Sequence, residues 1–95
     1  MIYSKSGLRT TEPGGFFHLE EESTKTRISG YGFGPNIKLT DEYGNVWVGS
    51  AERMNDNSVS YRFRNQNGRT ISGISENAAV TLRDDKGGSW KGFVG

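Results

Sequence analysis

Ninety-five residues with twelve Lys/Arg against eleven Asp/Glu carry a net charge of +1, which leaves no strong field to attract nucleic acid or a membrane surface. Fourteen glycines with only two prolines argue against collagen, a proline-rich linker or an ordinary helical bundle, and the lack of cysteine removes disulfides and zinc–thiolate chemistry. Apolar runs such as Val46-Trp47-Val48 stop at three residues, so neither a transmembrane helix nor a signal-peptide core is expected, and a cytoplasmic location is the simplest expectation.

In chain order the pattern predicts nine short strands, at 2–9, 15–21, 26–32, 36–41, 46–54, 58–65, 69–75, 79–84 and 89–94. Apolar and polar residues alternate at period two in Ile28/Gly30, Ile37/Leu39, Val59/Tyr61/Phe63, Ile71/Gly73 and Val80/Leu82. Turn-forming runs separate them: 41–45, Asn55-Asp56-Asn57, 65–68 and 84–88. No helical apolar spacing is sustained over eleven residues. The short connections suit antiparallel hairpins, so the expectation is a single all-β domain, 1–95, arranged as an antiparallel meander. Its 27 large apolar residues, eleven of them aromatic, make a small core, and oligomerisation is a natural supplement.

An internal duplication organises the chain. At an offset of 43 residues, 28–49 lies over 71–92 without a gap. Eight of the 22 pairs are identical: Ile28/Ile71, Ser29/Ser72, Gly30/Gly73, Leu39/Leu82, Asp41/Asp84, Gly44/Gly87, Trp47/Trp90 and Gly49/Gly92. Two such units predict a closed barrel or small sandwich, which leaves no exposed sheet edge. The alternative is a pair of propeller-like blades completed by oligomerisation.

The repeated residues read as structural. Trp47 and Trp90 lie on the strand face that stays apolar in both units, so they are expected in the core, with the glycine two residues on leaving room for the indole. The Asp-acid-x-Gly runs lack the ligand spacing of a calcium loop and read as hairpin turns, so no metal or cofactor is expected. The one histidine, His18, has no predictable Asp or Ser partner, and the acid pairs Asp41/Glu42 and Asp84/Asp85 fall in turns. A non-catalytic protein is therefore expected.

One constellation points to binding. Strand 46–54 should pair with 36–41 and 58–65, gathering Val46 and Val48 on the outer face with Lys38 on one side, Arg62 and Arg64 on the other, and Tyr43 in the adjoining turn. The second unit has Ser89 and Lys91 in place of the valines, so the apolar centre belongs to the first unit alone. An apolar centre with an arginine rim suits a protein partner or a second copy of the chain. The run Glu20-Glu21-Glu22, opposite in charge to Arg62 and Arg64, could pair with them. Two other readings attach to different residues. A lectin-like carbohydrate binder would use the tryptophans, and a small barrel binding single-stranded nucleic acid would use Tyr61-Arg62-Phe63-Arg64.

Overall fold

A computed structural model describes residues 12–76 and 79–95. It contains eight strands: β1 (Gly14–Glu21), β2 (Arg27–Phe33), β3 (Asn36–Asp41), β4 (Val46–Arg53), β5 (Val59–Asn65), β6 (Thr70–Glu76), β7 (Ala79–Asp84) and β8 (Ser89–Val94). Each pairs antiparallel with the next, and β8 pairs with β1, so the meander closes into a barrel. The expected strand at 2–9 lies outside the described residues. Closure within one chain replaces both the sandwich and the propeller-like alternatives. No helix is long and apolar enough to cross a membrane among the described residues.

An eight-stranded barrel is just wide enough inside for side chains to fill it, so large residues cannot occupy every inward position of a layer. The chain solves this by alternation. In the middle layer Leu19, Leu39, Phe63 and Leu82 on the odd strands face Gly92, Gly30, Gly49 and Gly73 on the even ones. In the next layer the large residues change strands. Ile28, Trp47, Ile71 and Trp90 on even strands face Asp41, Asn65, Asp84 and Glu21 on odd ones. On the other side Phe17, Ile37, Tyr61 and Val80, with Ala51 and Val59, complete the buried core, Phe17 meeting Tyr61 and Phe63 edge to face at 5.4 and 5.9 Å.

Both indoles are buried as expected, with 4% of Trp47 and 6% of Trp90 exposed. The glycines serve a different neighbour from the one expected. A Cβ on Gly49 would strike the Arg62 carbonyl oxygen, and one on Gly92 the His18 carbonyl oxygen. Each glycine thus admits the backbone of the adjoining strand, and the indole does not occupy the space.

Four of the hairpin turns share one geometry. Asp41, Met54, Asn65 and Asp84 each precede a three-residue loop whose last member is Gly44, Asn57, Gly68 or Gly87, with φ of 86°, 71°, 83° and 87°. The loop is a tight turn followed by a left-handed residue, which glycine adopts without strain. The first hairpin is longer: the Glu21 amide donates to the Thr26 carbonyl, with Lys25 taking the left-handed position at φ 63°.

Two glycine substitutions separate these requirements. Gly92→Ala should cost at least about 2 kcal/mol, as overpacking of filled interiors does, and lower Tm by about 10 °C. Gly44→Ala, whose added carbon meets nothing within 4 Å, should cost only about 1 kcal/mol for its left-handed φ. Calorimetric melting of the two variants checks the ranking. Equal losses would mean that the interior glycines are not serving strand approach.

Candidate functional site

The expected outer-face set is assembled only in part. The register places Lys38 opposite Val48 and Val48 opposite Arg64, while Thr40 faces Val46 and Ser50 faces Arg62. Lys38, Val48 and Arg64 therefore form a row across three strands. Val48 is more than half exposed, whereas Val46 is half-buried. Tyr43 does not join this row. It stands beyond the strand end and lines the hollow between the barrel-end turns.

The acidic run does not meet Arg62 and Arg64. Strands β1 and β5 lie on opposite sides of the barrel, so their outward residues cannot touch within one chain. Glu20 instead pairs with Arg27 at 3.8 Å and Glu22 with Lys91 at 2.9 Å. Arg62 and Arg64 make no ion pair among the described residues. The residues proposed for stacking also face inward, because Tyr61, Phe63 and both tryptophans are buried.

The larger apolar surface lies across β8, β1 and β2, and sequence reasoning missed it. Phe16 is 59% exposed, Phe93 57%, Tyr31 51% and Phe33 38%. Phe16 and Tyr31 are cross-strand neighbours with ring centroids 4.6 Å apart, and Tyr31 meets Phe33 at 5.3 Å. His18 lies opposite Phe93, their rings 5.3 Å apart. The ring planes are inclined by 45°, 87° and 35° in these three pairs, so the surface is corrugated. Beyond the rings, towards the 21–26 turn, the same strands carry the Glu20–Arg27 and Glu22–Lys91 pairs. Parity carried the signal: once Phe17, Ile28 and Trp90 point inward, Phe16, Tyr31, Phe33 and Phe93 must point out.

The opposite face of the barrel provides an internal comparison. Phe93 opposite His18 corresponds to Ser50 opposite Arg62, and Phe16 opposite Tyr31 corresponds to Ser60 opposite Ile74. Glu76 stands where Phe33 does. The two interiors match closely in residue type, yet the aromatic strip occurs on one side only.

At the turn end, polar groups gather around a hollow of about 400 Å³ lined by Glu21, Asp41, Asn65 and Asp84 among others. These groups are engaged with their own turns. Asp41 Oδ1 accepts from the Tyr43 and Asn45 amides, both at 2.9 Å, and Oδ2 from the Trp47 indole N–H at 3.4 Å. Asp84 repeats the arrangement with Lys86, Gly88 and Trp90 at 2.9, 2.7 and 3.1 Å. Asn65 caps its turn through Oδ1 in the same way, but the residue six positions on is Ile71, which has no indole N–H to donate. A carboxylate thus stands where a buried indole donor must be satisfied, and an amide stands where none exists.

This bonding fixes the charge of the acids. Burial acts to raise the Asp41 carboxyl, but hydrogen bonds from Asn45, Tyr43 and Trp47 outweigh it and hold the group below its usual range. Burial likewise opposes, and is outweighed by, the Trp90, Gly88 and Lys86 donors and the Arg69 charge at Asp84. The Ser23 hydroxyl, followed by the Thr24 amide, brings Glu21 down to about 2. A general acid would need the opposite shift. No cluster of three or more His, Cys, Asp or Glu side chains fit to hold a metal occurs among the described residues.

Comparison of the chain with protein-family models, with curated proteins and with solved structures gives no match in any of the three.

Depressed folded-state pKa values imply stability that is present above the unfolded values, 3.8 for Asp and 4.5 for Glu, and lost as pH falls towards the folded ones. Urea unfolding should therefore show level stability from neutral pH to about 5 and a decline from about 4 downwards. Asp84→Asn keeps the Oδ1 acceptor but loses the one for Trp90, so it should lower stability at pH 7 and shrink the acid decline. An acid decline of wild-type size in that variant would remove Asp84 from the account.

Proposed function

We propose that the protein is a non-catalytic binding or assembly module acting through the outer face of its barrel, with the aromatic strip on β8, β1 and β2 as the main surface. One observation carries this reading. The strip has no counterpart on β4, β5 and β6, although those strands repeat the interior. Folding alone therefore does not require rings at these positions, and large exposed apolar patches are characteristic of interaction sites. The acids at the turn end support the non-catalytic part, since they are ionised and committed to backbone donors.

The row of Lys38, Val48 and Arg64 supports a second, smaller surface. It offers one exposed apolar side chain between two cations, and it would suit an acidic partner segment. Val46, Arg62 and Tyr43 contribute less to it, for the reasons of burial and position already given.

Binding of the apolar dye ANS at sub-micromolar protein tests the main surface. Wild-type protein should enhance dye fluorescence, and Phe16→Ser with Phe93→Ser should abolish most of the enhancement while melting within about 10 °C of wild type, since the two exposed cross-strand pairs contribute only about 0.2–1 kcal/mol each. Ile74→Ser, an exposed apolar position outside both surfaces, should leave the enhancement unchanged. Equal dye binding by the double variant and wild type would overturn the assignment of the strip.

A further inference from the structure

We propose that the occupant of the aromatic strip is a second copy of this chain, docked about a twofold axis through Phe16, Tyr31 and Phe93. This inference rests on the outer-face reading and names its partner.

With β8 paired to β1, none of the described strands has a free edge to which another strand could be added, so contact through this face is made by side chains. Planes inclined by 45° and 87° present ridges and grooves, which suit interdigitation with another protein better than the flat stacking of sugar rings.

Area and charge then favour a like partner. Four rings about half exposed offer roughly 400 Å² of apolar surface. A standard interface buries about 800 Å² per partner, a little over half of it apolar. The aromatic half of the strip thus supplies the apolar centre, and its charged half can supply the rim. That rim carries both signs, in the Glu20–Arg27 and Glu22–Lys91 pairs, so it selects no partner of single charge. A twofold interface requires a patch that complements itself, and an apolar patch flanked on one side by a near-neutral charged strip is compatible with that condition. The net charge of +1 adds little repulsion between copies.

Sedimentation velocity over about 1–200 µM protein tests the proposal, a span that covers micromolar affinity. Wild-type protein should pass reversibly from monomer to dimer and no further. Phe16→Ser with Phe93→Ser should weaken dimerisation at least about tenfold, as loss of central aromatic anchors does, with far-UV dichroism and melting showing a folded barrel. Ile74→Ser, an exposed apolar position on the opposite side of the barrel, should dimerise as wild type does. A wild-type monomer throughout the range overturns the second copy as occupant; if ANS enhancement still depends on Phe16 and Phe93, the outer-face reading survives and the partner is a different protein. A dimer indifferent to the double variant, or growth beyond a dimer, overturns the proposal equally.

Discussion

The barrel depends on one steric constraint, the close approach of backbones at Gly30, Gly49, Gly73 and Gly92. Each glycine sits opposite a large residue of the middle layer, and each would collide with a neighbouring carbonyl if it carried a side chain. The absent side chains let eight strands coil tightly enough to close, and the opposing Leu or Phe fills the space that remains. The tryptophans depend on this in turn. The layer above holds Trp47 and Trp90 on the same strands as two of those glycines, so the chain path that admits the neighbour also sets the indoles inside the barrel. Asp41 and Asp84 then satisfy the indole N–H groups while closing the hairpins that bring the strands together.

Closure also sets what each part of the barrel is free to vary. Among the described residues, a cluster of buried side chains packs the interior. At the turn end, carboxylates bonded to their own backbone are held in place and ionised. On the outside of the sheet the fold asks only for strand-compatible residues.

The sequence made the strands and the alternation legible because inward positions repeat at period two and the 43-residue offset preserves eight identities. It hid the finer repeat, in which every hairpin contributes one large residue and one glycine to the middle layer. Gly30, Gly49, Gly73 and Gly92 are unequally spaced, since the connection from β4 to β5 is longer than its counterparts, and no single offset aligns all four. The row of Lys38, Val48 and Arg64 was legible because it needed only nearest-neighbour pairing. The Phe16, Tyr31 and Phe33 part of the aromatic strip was open to the same reasoning, whereas Phe93 joins it only through the pairing of β8 with β1, the two described strands farthest apart in sequence, and no local pattern specifies that contact.

Comparison of the two halves separates constraint from opportunity. Inside, Leu19 and Phe63, Ile28 and Ile71, and Trp47 and Trp90 remain large because a smaller residue would leave a void. Outside, Phe16 is matched by Ser60, His18 by Arg62, Tyr31 by Ile74 and Phe93 by Ser50, and both sets are compatible with the same backbone. Since either set satisfies the strands, backbone requirements do not explain why exposed rings collect on one side. Exposed rings also carry a liability, because apolar surface left uncovered invites non-specific association. Coverage by a partner would remove that liability and use a feature that distinguishes this side of the barrel from the other.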